Sequence, residues 1–288
     1  MSLFLRVAYD GTDFSGFARQ ADRPDGRPIR TVQGQLEVAI ASLYGQSVRT
    51  RGASRTDAGV HARGQLVAFD PPKPIPVGGV LAALADRLPP DLTVTAAWEE
   101  ARTDPRRGNL GKHYRYQIRC TRAADPATDR FAWHYGRAID PVAMQRAARR
   151  LEGEHDFGSF RAAGCQAETS VRIVDRVDVT WRAASATNRG DPGARDARVD
   201  DREWIVIDVH GRAFLYNMVR IMVGSLVEVG RGRRELAWID ALLARPDRTA
   251  AGPTAPACGL TLVEVKWSHE PNATGAAPLG KAAPETVN

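Results

Sequence analysis

Cysteine is scarce in this chain. Cys120, Cys165 and Cys258 are the only three in 288 residues, and they stand far apart. With no CxxC pair they form no zinc cluster, so no metal is called for and the thiols read as reduced, as in a cytoplasmic protein. Long apolar runs are absent too. None approaches the roughly 20 residues of a membrane span, and Met1-Ser2-Leu3-Phe4-Leu5-Arg6 acquires charge too early for a signal peptide. Lysine is limited to Lys73, Lys112, Lys266 and Lys281, so the cationic side chains are almost all arginine. A GC-rich genome accounts for that bias; it does not account for clustering.

The clustering is local. Between Arg102 and Arg150 twelve Lys/Arg face four Asp/Glu, an excess of +8; the whole chain carries +6, so the remainder sums to −2. Such a strip suits a surface that follows a polyanionic backbone.

One decapeptide, Arg55-Thr56-Asp57-Ala58-Gly59-Val60-His61-Ala62-Arg63-Gly64, sets a single carboxylate between two arginines in a glycine-rich loop. Strand-like segments flank it, 48–53 before and 65–69 after. Arg55 and Arg63 favour ionised Asp57 and could also grip phosphates. An ionised carboxylate in a cationic loop can act as a nucleophile on an anionic substrate. A plain surface turn with a local ion pair would present the same residues.

The hydrophobic periodicity predicts a strand over 3–9 and a helix from a Thr31 cap to Gly45. Strands at 48–53 and 65–69, a helix over 80–88 and a strand at 92–98 follow. The order β-α-β-β-α-β is that of a ferredoxin-like unit. It recurs with a strand at 113–120, a helix at 141–151, strands at 171–181 and 204–210, helices at 214–229 and 235–244, and a strand at 260–267. The expected fold class is α+β, with two ferredoxin-like units, 1–105 and 106–267, whose antiparallel sheets meet at a central cleft. Segment 183–202 reads as a long hairpin tip and 268–288 as a disordered tail.

The helix over 214–229 is apolar on almost every side except at Asn217, Arg220 and Ser225. Positions 217, 220 and 224 share one face, where Gly224 admits close approach. An arginine in so apolar a helix needs a carboxylate, and Asp57 is the functional candidate; backbone carbonyls or Glu228 could serve instead. On the strand at 113–120, Tyr114 and Tyr116 share a face. A ring beside the nucleophile could stack on an extruded base, and its hydroxyl could accept or deliver a proton.

Residues 52–61, Gly-Ala-Ser-Arg-Thr-Asp-Ala-Gly-Val-His, resemble the Gly-x-x-Arg-Thr-Asp-x-Gly-Val-His loop of the tRNA pseudouridine synthase A family. Tyr216 to Gly224 matches that family's second motif, and Lys112 with Tyr114 and Tyr116 resembles its Arg-x-Tyr-x-Tyr pattern. The resemblance implies isomerisation of uridine to pseudouridine on the 3′ side of the tRNA anticodon stem-loop, in a homodimer without cofactor. It implies Asp57 as nucleophile, Arg220 paired with it and Tyr114 at the uracil. Arg55 is expected in the gap left by the flipped base. Arg63, Lys112 and Gln20 are further expected RNA contacts, the last on a 11–30 loop that closes on RNA. His61 reads as structural. One departure is visible: Thr103-Asp104-Pro105-Arg106-Arg107 keeps only the arginine of a Phe-His-Ala-Arg-Phe-like segment. Two other readings use the same residues, a non-catalytic RNA-binding module and a metal-assisted phosphodiesterase with Asp57 and His61 as ligands.

Overall fold

The computed structural model describes residues 1–21, 24–183 and 202–268; the expected hairpin tip and tail lie outside them. The N-terminal half runs β1 (Ser2–Tyr9), α1 (Val32–Tyr44), β2 (Thr50–Gly52), β3 (His61–Phe69), α2 (Val77–Ala85) and β4 (Leu92–Glu100). Next come α3 (Pro105–Gly108), β5 (Gly111–Arg119), α4 (Pro126–Asp129), β6 (Trp133–His134) and α5 (Pro141–Ala148). The chain continues as β7 (Gly153–Asp156), β8 (Val171–Ala183), β9 (Arg202–Gly211), α6 (Met218–Gly230), α7 (Leu236–Ala244) and β10 (Leu260–Lys266).

The described strands form one mixed ten-stranded sheet in the order β4-β1-β3-β10-β5-β9-β8-β7, with β2 beside β3 and β6 beside β5. The two expected sets of strands therefore join edge to edge. The join is made by β10, parallel to β3 and antiparallel to β5. Arg6 of β1 staples it, donating from Nη1 to Gly64 O of β3 at 2.9 Å and to Val265 O of β10 at 2.8 Å.

Local signals act as expected in α1. Thr31 Oγ1 accepts from Gly34 N at 3.2 Å, and Gly45 closes the helix in the left-handed region at φ 74°. Its inner face, Val32, Leu36 and Ile40, is fully buried, and Tyr44 at its end stands edge-on to Phe69 of β3, 5.9 Å between ring centroids. Truncating Leu36 to alanine would cost about 2–5 kcal/mol. In the other half α5 packs on β8 and α6.

Two expectations are corrected. The pairing of β2 with β3 spans only three residues, because after the bond from Ala53 N to Leu66 O the Gln65 side chain, rather than the β3 backbone, takes the Ser54 peptide groups. The loop itself is shorter than the decapeptide, since His61 to Gly64 already belong to β3.

Candidate active site

The loop from Arg55 to Val60 is fixed from below. Its backbone takes a bond from Phe17 N to Thr56 O at 3.0 Å, and the Thr56 hydroxyl meets Tyr9 Oη at 2.7 Å inside the core. Gln65 grips Ser54 twice: its Nε2 donates to Ser54 O at 2.7 Å and its Oε1 accepts from Ser54 N at 3.2 Å. Gly59 has φ 78°, the left-handed conformation that a Cβ would strain. His61 is buried behind the loop, where its Nδ1 accepts from Gly11 N at 3.0 Å and its ring lies against Phe131. Burial lowers its pKa despite Asp10. The structural role expected for His61 fits these bonds.

Asp57 is brought to Arg220, from a position 163 residues later, at 3.4 Å between Oδ2 and Nη1. Both side chains are largely buried, 18% and 16% exposed. Arg220 is also held by neutral acceptors. Its Nε donates to Ala255 O at 2.7 Å and its Nη1 to Asn217 Oδ1 at 2.8 Å. Carbonyl satisfaction and the Asp57 pair thus coexist, while Glu228 turns to Arg231 and Arg233. Burial pushes the Asp57 carboxyl above its usual range, against the opposing pull of Arg220. Arg55 and Arg63 make no contact with it.

Segment 252–256 makes this possible by lying directly on α6. A Cβ at Gly224 would stand 1.8 Å from Pro253 O, so glycine is required for the approach. Ala255 N in turn donates to Arg220 O at 3.1 Å, which aligns Ala255 O with the guanidinium. The helix begins at Met218, later than the expected 214, because Asn217 adopts φ 59° and ends the preceding turn.

Tyr114 closes the third side. Its hydroxyl meets Ser54 Oγ at 2.8 Å and its ring stands edge-on to Phe214, 5.3 Å between centroids. Burial, reinforced by the Asp57 charge, pushes the phenol up to about 12. Lys112 is nearby but buried. Its Nζ donates to Arg212 O at 3.4 Å, and desolvation brings the amine down to about 8.

These groups line one cleft of about 830 Å³, together with Arg55, Gln20, Arg106, Tyr216 and the 164–167 segment. Arg55 is exposed and forms no ion pair among the described residues, whereas Gln20 Nε2 donates to Ser15 O at 2.6 Å. Arg63 is exposed on β3 and does not line the cleft. The basic strip is largely neutralised by carboxylates that the sequence keeps at a distance. Arg102 pairs with Asp70, Arg115 with Asp208, Arg130 with Asp10, and Arg150 with Asp240. The strip's sequence excess therefore overstates the charge it presents. Asn217, Ser54 and the 164–167 segment were not anticipated as site residues. Asn217 alone carried a signal, by sharing a face with Arg220.

Among the described residues no three His, Cys, Asp or Glu side chains gather to hold a metal, and no helix is long and apolar enough to cross a membrane. Residues 6–105 and 147–268 match the family described as tRNA pseudouridine synthase. The chain belongs to that family. Its reaction isomerises a uridine of tRNA, so the enzyme is an isomerase. It is 42% identical over 264 residues to the tRNA pseudouridine synthase A of Geobacter sulfurreducens, covering 91% of this chain and 98% of that one. It is 39% identical over 272 residues to the protein of that name from Myxococcus xanthus, covering 94% of each. With the Brevibacillus brevis protein the identity is 41% over 262 residues, 91% of this chain and 97% of that one. Both matched segments contribute to the cleft: Asp57 lies in the first and Arg220 in the second.

Proposed function

We propose that this enzyme converts uridine to pseudouridine on the 3′ side of the tRNA anticodon stem-loop, with Asp57 as nucleophile. The observation that carries the reading is a carboxylate, raised by burial and taking one long bond, in a cleft it shares with Tyr114 and Arg220. A flipped uridine enters the cleft, Asp57 initiates cleavage of the C1′–N1 bond, and the detached uracil rotates and rejoins through C5. The net change moves one hydrogen from C5 to N1. A phenol held protonated near 12 can donate to N1 and then take the C5 proton as phenolate. Arg220 keeps Asp57 aimed. Arg55, without an ion-pair partner among the described residues, fits the gap left by the extruded base, and exposed Gln20 and buried Lys112 fit further contacts along the same cleft. Arg63 would meet phosphate outside the cleft.

The chain reads as two ferredoxin-like units, 1–105 and 106–267. Supporting this, each half orders its strands alike: β4-β1-β3-β2 in one and β10-β5-β9-β8 in the other. The active enzyme is a homodimer in the cytoplasm; sedimentation equilibrium showing only monomer at micromolar concentration would overturn the dimer. The chemistry is tested by tritium release from tRNA labelled at uridine C5, comparing wild type with Asp57→Ala while tRNA binding is followed in parallel. Release by wild type alone, with binding retained, is expected. Binding without release by either protein would favour a non-catalytic RNA-binding module.

A further inference from the structure

Asn217 is the one non-glycine residue at positive φ among the described residues, at 59°. It occupies the N-cap of α6, where asparagine ordinarily folds its side chain back onto the free helix N–H groups. Here it makes no capping bond. Its Oδ1 instead accepts from Nη1 of Arg220 at 2.8 Å, and the same Nη1 stands 3.4 Å from Asp57 Oδ2. A neutral amide therefore takes the shorter bond and an anion the longer one, the reverse of the usual ranking of charge-assisted bonds. The far side of the guanidinium is anchored by Ala255 O at 2.7 Å.

We propose that Asn217 is a positioning residue which, presented by its left-handed turn, draws Arg220 back from Asp57 and leaves the carboxylate free to act. The inference rests on the reading of Asp57 as the nucleophile. If Arg220 closed on Asp57 in a short fork, as arginines do elsewhere in this protein, the carboxylate lone pairs would be committed to it. The restraint is geometric. Ala255 O and Asn217 Oδ1 hold two nitrogens of a planar group, so the guanidinium can tilt towards Asp57 only by releasing one of them.

The titration of Asp57 reads this restraint directly. The phenol of Tyr114 faces Asp57 from β5, and the Tyr116 phenol and Cys258 thiol face Arg220. Burial raises all three, so they stay neutral while Asp57 titrates. Arg55 is turned to solvent.

The experiment follows the Asp57 carboxyl carbon by NMR in full-length, aspartate-labelled protein, assigned by its loss in Asp57→Asn. Asn217→Gly accepts the left-handed backbone and removes only the amide; its midpoint should fall by about one unit, as Arg220 closes on the carboxylate. Asn217→Asp keeps an acceptor on Arg220 and adds a charge, so its midpoint should rise. Single-turnover tritium release by Asn217→Gly should drop at least tenfold, its acid limb moving to lower pH, with tRNA affinity changed less than about threefold. An unchanged or raised midpoint in Asn217→Gly would overturn the proposal. If wild type itself released no tritium, the functional reading would fall, and the midpoints would still decide the role of Asn217.

Discussion

On β9, Asp208 takes two bonds from the guanidinium of Arg115, at 2.9 and 3.1 Å, and a contact from His113 Nε2 at 2.5 Å. In the cleft, Asp57 takes a single bond from Arg220, at 3.4 Å. Burial pushes both carboxyls up. At Asp208 the bonds from His113 and Arg115 outweigh it and bring the group down to about 2; at Asp57 one long contact does not, and the group stays raised. Proximity to arginine is therefore a poor guide to what a carboxylate does. A saturated carboxylate joins strands; an unsaturated one keeps lone pairs for a substrate.

The sharpest break in this comparison is Asp57→Asn, which removes the charge of the proposed nucleophile while keeping its shape. Tritium release should fall by about 10⁴-fold or more, with tRNA affinity within about threefold. Single-turnover release and filter binding measure the two. Arg220→Lys comes next. A compact ammonium cannot span Ala255 O, Asn217 Oδ1 and Asp57 together, so the same rate should fall about 10²-fold.

Lys112 sharpens the contrast from the cationic side, because its buried amine pairs with no carboxylate among the described residues. Its folded pKa of about 8 lies below the ordinary 10.5, so the unfolded chain binds the proton more tightly. Wild-type stability should then rise with pH between those values. Lys112→Met should remove that slope and gain about 2 kcal/mol at neutral pH, as urea unfolding at pH 7 and pH 10 would register.

Asp208→Asn should have the smallest effect and the opposite sign. A carboxyl lowered from 3.8 to about 2 contributes stability that is present above its ordinary value and lost as pH falls through the folded one. The variant should lose about 1–2 kcal/mol at neutral pH and the associated acid slope, with single-turnover chemistry unchanged.

The Asp57 loop and the α6 motif were legible because both are defined by residue types at short spacing, and the fold brings them into one cleft. The strands were legible for a similar reason: alternation along 3–9 and 113–120 reports a buried face directly. Partnerships between distant segments were not. The acid that neutralises Arg115 stands at position 208, and the hydroxyl that meets Tyr114 at position 54. A local count of charge between 102 and 150 therefore reads as surface what the fold spends on ion pairs. The start of α6 was misread because Phe214 and Leu215 continue its apolar pattern, while the left-handed turn at Asn217 leaves no trace in hydrophobicity.

The position of β10 has a consequence for how the protein is made. The strand that fills the gap between β3 and β5 is the last of the described strands to be synthesised, and its partner β3 is finished at Phe69. At about 5–20 residues per second, the ribosome leaves the His61–Ala62 end of that edge, beyond the stretch paired with β2, uncovered for roughly ten to forty seconds. Arg6 waits equally long for the carbonyl of Val265. During that interval the nascent N-terminal half carries an open strand edge, a template for pairing with neighbouring chains. Completion of the sheet, and with it the seating of segment 252–256 on α6, waits until β10 has been made. Asp57 thus emerges from the ribosome well before the arginine that restrains it.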